Sequence, residues 1–205
     1  MPFKPHSQIR RPDATSENAW ITYICGHCGT KVSGAVVAWK EDVIWAQCTH
    51  CGRGSVIDDQ GDVYPGTLFG PHLEGLPADI AEAYEEARRS MSVAAFTGAE
   101  LVCRKILMHV AVEKGATEGE TFASYLEHLE SKGYITPPMK GWVDLIRQHG
   151  NIAAHVLEKP DRERAESTLM FTAELLRIVY EMDYLSRQYM AQDTEEDSNA
   201  LAHAQ

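Results

Sequence analysis

Four of the five cysteines fall into two identical spacings, Cys25-x-x-Cys28 and Cys48-x-x-Cys51, with 19 residues between the pairs. A glycine follows each pair directly, Gly29 and Gly52. Two sulfurs separated by two residues can face one ion from a single turn, and four thiolates at about 2.3 Å make the tetrahedron of a structural zinc site. The trailing glycines permit the tight turn in which backbone N–H groups point at sulfur. The 19 residues between the pairs are enough for one β-hairpin, which returns the second pair to the first. Structural zinc held by Cys25, Cys28, Cys48 and Cys51 is the chemistry this pattern points to. Four thiolates leave no open coordination position, so the pattern does not suggest a reaction at the metal. His27 and His50 lie inside the two pairs and read as turn residues, and Cys103, in the apolar run LVCRKILMHV, reads as core packing.

The second constellation is IRQHGNIAAH, Ile146 to His155. On a helix Arg147, Asn151 and His155 stand at i, i+4 and i+8 and share one face. In a catalytic role His155 is the acid/base imidazole, Asn151 poises it one turn away, and Arg147 holds a phosphate. In a structural role the same His and Asn satisfy buried backbone or cap a helix. The residues alone leave both roles open.

These groups need elements to hold them. Short runs rich in Val, Ile, Trp and Thr predict strands over Trp20–Cys25, Val32–Trp39, Val43–Cys48 and Ser55–Asp58. From Pro77 the period becomes helical, predicting helices over 78–90, 92–114, 121–132, 138–156 and 161–191. Pro160 and Asp161 mark a helix start, and Gly115 and Gly133 mark helix stops. The domain reading is a polar leader over 1–19, a cysteine-bearing ribbon over 20–60, a connector over 61–77, a helical bundle over 78–191 and an acidic tail over 192–205. The expected fold class is therefore α+β, a small β-rich zinc ribbon followed by an all-α bundle. In the last helix Ala165, Leu169, Ala173, Leu176, Tyr180 and Met182 form the apolar stripe. Leu175, Ile178 and Leu185 fall outside it and need cover, which predicts a homodimer.

Charge narrows the partners. The 205 residues carry 19 basic and 30 acidic side chains, a formal net of −11, with 13 basic and 23 acidic ones after residue 70. A field of that sign repels phosphate backbones and disfavours broad nucleic-acid binding, leaving local binding through the nearly neutral first segment. No stretch of about eighteen apolar residues exists, so no membrane span is expected. The N-terminal residues lack the apolar run of a secretory signal, which predicts a cytoplasmic protein and argues against two disulfides.

The combination of CGHCG and CTHCG, the VYP at Val63–Pro65, LPADIAEAYEEARRS, GAELVCRKIL and GNIAAH resembles a bacterial domain-of-unknown-function family, number 4145, placed in the HEPN (higher eukaryotes and prokaryotes nucleotide-binding) superfamily. The resemblance covers about residues 20–185. It implies a HEPN-like bundle of about four main helices, often dimeric. The wider superfamily includes metal-independent ribonucleases of toxin and antiviral systems, which use an Arg, a polar residue, three further residues and a His. Asn151 and His155 match that pattern, while Gly150 stands at the arginine position and Arg147 lies three residues earlier. Three readings follow from the resemblance. The first is a non-catalytic binding module, with a protein or nucleic-acid partner, in a bacterial or phage system tied to antiviral defence or mobile elements. The second is a ribonuclease using His155. The third is a structural or regulatory assembly subunit.

Overall fold

A computed structural model describes residues 19–153 and 159–191, with side chains described through Arg147 and again from Lys159. The leader over 1–18, His155 and the tail over 192–205 lie outside the described residues. The protein is α+β, and its chain groups into two units.

The first unit takes in the chain up to Phe69 together with Arg89–Ala95. Its body is a curled antiparallel sheet of five strands in sequence order: β1 (Trp20–Ile24), β2 (Lys31–Lys40), β3 (Val43–Gln47), β4 (Gly54–Ile57) and β5 (Val63–Tyr64). Alternation builds it. In β2, Val32, Gly34 and Val36 turn inward while Lys31 and Ser33 face solvent. Gly34 is required because a Cβ there would run into the Tyr23 ring lying across it. The hairpin between β2 and β3 turns through Glu41 and Asp42, with Glu41 at φ 53°, a positive value that matches the strand twist. The core consists of Tyr23, Val32, Ala46 and Ile57 with two of the cysteines, Cys25 and Cys48. So small a core needs a further staple. The segment expected as a connector supplies the fifth strand, paired through Val56–Tyr64 and Ile57–Val63.

The second unit comprises Gly70–Arg88 and the chain from Phe96 onward. Its helices are α1 (Ala78–Ser92, whose last turn belongs to the first unit), α2 (Phe96–Glu113), α3 (Phe122–Ser131), α4 (Lys140–Ala153) and α5 (Arg162–Leu176). Thr121 caps α3 by accepting from the Ser124 amide at 3.2 Å, and Asp161 caps α5 by accepting from the Arg164 amide at 2.9 Å. Gly115 and Gly133 take positive φ where α2 and α3 stop. α2 packs on α3 and α5, burying Cys103, Ile106, Leu107 and Val110 on one side. Trp142 meets Phe171 edge-on at 5.6 Å and donates its indole N–H to Ser167 Oγ at 2.8 Å. Among the described residues no helix is long and apolar enough to cross a membrane.

Three further details differ from the sequence expectation. Ala94, at φ 57°, breaks the chain between α1 and α2, so α2 starts at Phe96 rather than 92. The last helix widens into a π-type turn over Arg177–Glu181 before continuing helically over 182–191. Leu175 is fully buried within the chain itself and needs no second copy to cover it. α5 is buried on more than one face, with Thr168 and Thr172 among its buried residues. Their hydroxyls tolerate burial because they donate to the carbonyls one turn back, Arg164 and Thr168.

Candidate metal centre

The two cysteine turns are near copies. In the first, the Cys25 amide donates to the Thr30 carbonyl at 3.0 Å and the Gly29 amide to the Cys25 carbonyl at 2.7 Å. In the second, the Cys48 amide donates to Arg53 at 2.9 Å and the Gly52 amide to Cys48 at 2.9 Å. Gly29 and Gly52 take φ of 67° and 73°, the left-handed turn that glycine adopts without a Cβ penalty. The strands β1 and β3 deliver the leading cysteine of each pair, and the β2–β3 hairpin sets the turns face to face.

All four sulfurs lie within 4.8 Å of one another. Cys25 Sγ and Cys51 Sγ are 3.8 Å apart, as are Cys28 Sγ and Cys48 Sγ. These distances exceed a disulfide's roughly 2.05 Å, and all four cysteines are free. They match the edge of about 3.8 Å that a tetrahedron of ligands at about 2.3 Å would have. The donor set therefore fits a zinc-sized cation. Backbone groups prepare it. The Cys51 amide reaches Cys48 Sγ at 3.5 Å, and the Thr30 amide holds the Cys28 thiol below its ordinary pKa. The Arg53 amide draws Cys51 down, but burial and the neighbouring thiols Cys48, Cys25 and Cys28 outweigh it and push Cys51 up. Four like charges cannot gather without a cation among them, whereas a bound metal ion keeps all four deprotonated. His27 is exposed and its Nε2 lies 3.1 Å from the Gly54 carbonyl, which makes it a turn residue of the module.

The first turn is braced from behind. A Cβ on Gly26 would overlap the carbonyl oxygens of Pro65 and Gly66, so the VYPG stretch packs directly on the CGHC backbone. The Gly66 amide in turn donates to the Ser92 carbonyl at 2.7 Å. Spacing alone gave no sign of this contact.

The second constellation assembles only in part. Arg147 lies on α4 and is held by acids, with Nη1 3.1 Å from Asp144 Oδ1 and Nη2 3.5 Å from Glu130 Oε2. Lys140 and Arg147 hold the Glu130 carboxyl below its ordinary pKa, the Lys140 hydrogen bond being the larger influence. Asn151 belongs to α4 but its side chain, like all of His155, lies outside the described residues. Cys103 is fully buried, and burial pushes its thiol up to about 12.

Glu100 accepts from Arg164 Nη2 at 2.9 Å, both side chains being almost fully enclosed at 6% and 11% exposure, a partner the sequence does not signal. Arg104 lies with its guanidinium 4.5 Å from the centre of the Phe122 ring. A second missed group is Glu181, whose Oε1 accepts from the Glu74 amide at 2.8 Å while Oε2 pairs with Arg177 at 2.9 Å. No local pattern marks either partner, because they come from 64 and 107 residues away.

No curated protein and no solved structure matches the chain. A family model described as a domain of unknown function (DUF4145) matches residues 85–195, a span that takes in most of the helical part and none of the four clustered cysteines. The chain belongs to the DUF4145 family.

Proposed function

We propose that the protein is a zinc-stabilised, non-catalytic binding module, a four-cysteine ribbon joined to a HEPN-like helical domain. The observation that carries this reading is the closed set of four sulfurs within 4.8 Å. When bound, zinc supplies structure: Cys25, Cys28, Cys48 and Cys51 would hold it as thiolates, and the backbone amides of Thr30, Cys51 and Arg53 would spread their negative charge. With four protein ligands, no position is left for substrate. The acidic balance, −11 overall, favours a protein partner over nucleic acid. The setting is a bacterial or phage defence or mobile-element system, and the chain works in the cytoplasm. It self-associates through the last helical turns, where Met182, Tyr189 and Met190 remain exposed at 57%, 67% and 68%.

Arg147 supports the non-catalytic reading over ribonuclease activity. A phosphate clamp works best with a cation free of counter-charge. Asp144 and Glu130 stand 3.1 and 3.5 Å from the Arg147 guanidinium, and among the described residues only its Nη1 is hydrogen-bonded, to Asp144. The test is cleavage of labelled single-stranded RNA without added metal by wild type and His155→Ala, prepared identically. No cleavage above background by either protein is expected. Robust wild-type cleavage that disappears in a stably folded His155→Ala protein would make the chain a ribonuclease and end the non-catalytic reading.

A further inference from the structure

The β2–β3 register shifts between Val36 and Ala38, where one extra residue sits in β2. A bulge of this kind re-aims the side chains beyond it. Val36 pairs with Ala46 and Trp39 with Ile44, and Ala46 and Ile44 are two residues apart on one face of β3. Val36 and Trp39, three residues apart, therefore share the core-side face, and alternation places Lys40 on the other. Without the extra residue Trp39 would point outward with the polar side chains.

The consequence is a cavity of about 380 Å³ at the hairpin end of the sheet, lined by Trp20, Ile21, Val36, Trp39 and Ile44 and edged by Glu41 and Asp42. Trp39 lines it from the core-side face, and Trp20, 56% exposed, borders it at the start of the edge strand β1, where pairing with Ala35 turns its side chain to the other face. Both carboxylates come from the hairpin turn, and among the described residues no basic side chain lines the space. Indole faces attract cations, and carboxylates at the rim add to that attraction while repelling phosphate. The aliphatic floor suits the methylene stem of a long basic side chain. The described part of this unit up to Phe69 leans the same way, with Lys31, Lys40 and Arg53 against Glu41, Asp42, Asp58, Asp59 and Asp62.

We propose that this cavity receives the lysine or arginine side chain of a basic segment on a protein partner. The inference deepens the binding-module reading and rests on it, by naming the partner's chemistry. Trp39 offers its ring face to the cation, Trp20 borders the entrance, and Glu41 and Asp42 supply the counter-charge from the turn.

The test uses the full chain with its metal content measured first. The indole N–H resonances of Trp20 and Trp39, assigned by single Trp→Phe variants, are followed by NMR during titration with three peptides. These are an alanine-glycine peptide carrying two lysines, the same peptide with arginines, and the same peptide with glutamates. Saturable shifts of both indoles with the lysine or arginine peptide, and none with the glutamate peptide, are expected. Glu41→Gln combined with Asp42→Asn changes only exposed turn carboxylates and should weaken binding at least tenfold. Trp20→Ala, at an exposed bordering position, should weaken it by a few-fold. No saturable shift from either basic peptide overturns the proposal, as does binding undiminished in the double variant. A single-stranded oligonucleotide that shifts the same two indoles also overturns it. A chain that carries its metal yet ignores the basic peptides loses this pocket and keeps the zinc reading, so the two failures are distinguishable.

Discussion

Replacing Glu100 with glutamine keeps the shape of the side chain and removes its charge. In the folded chain that carboxylate accepts from Arg164 Nη2 at 2.9 Å, with the two side chains only 6% and 11% exposed. A second guanidinium is close by. Burial pulls Arg104 below its ordinary pKa, Glu100 counters that pull, and Arg164 adds to it. Without the carboxylate, the largely enclosed Arg164 loses one acceptor and the half-buried Arg104 loses a counter-charge. Removing one partner of a buried pair costs about 3–5 kcal/mol, because the remaining charge stays desolvated. For a chain of this length that corresponds to a fall of roughly 6–20 °C in Tm. Urea unfolding followed by circular dichroism at 222 nm supplies the number. Glu100→Gln combined with Arg164→Met removes both charges and should recover part of the loss, giving a coupling energy of about 1–3 kcal/mol. A single variant within about 1 kcal/mol of wild type would refute the reasoning, since the pair would then not be desolvated.

Two further outcomes follow from other parts of the molecule. Cys103, fully buried and raised to about 12, should ignore a thiol reagent at pH 8 in the folded chain and react only in denaturant, so Cys103→Ser should leave the native thiol count unchanged. Gly26→Ala drives a methyl group into the backbone oxygens of Pro65 and Gly66, which cannot swing aside as a side chain would. It should cost about 1–3 kcal/mol and speed metal release to a chelator, and release at the wild-type rate would refute that account of the VYPG brace.

What could be seen from the residues alone was what depends on short-range geometry. The CxxC turns and their glycines specify one another within five residues, and four of the five strands lie within about a residue of where alternation places them. The fifth strand, Val63–Tyr64, was hidden because two residues among glycines and prolines carry no period. The π-type turn at Arg177–Glu181 was equally silent, since Glu181 is held by the backbone amide of Glu74, 107 residues earlier. The apolar stripe on α5 was visible, but the burial of Leu175 was not. A helix enclosed on several faces shows only weak amphipathic periodicity, and its off-stripe residues then look like an interface. Trp39 needed the register itself, because a strand read at strict alternation puts it on the wrong face.

The central claim is that the four cysteines hold one zinc ion whose binding energy folds the β-rich unit. Native mass spectrometry of the full chain, purified without chelator, measures it directly. One zinc per chain is expected, seen as the apo mass plus zinc less two protons, with loss of the metal in Cys48→Ser together with a lower Tm. A wild-type chain without metal, whose stability is unaffected by added chelator, would contradict it.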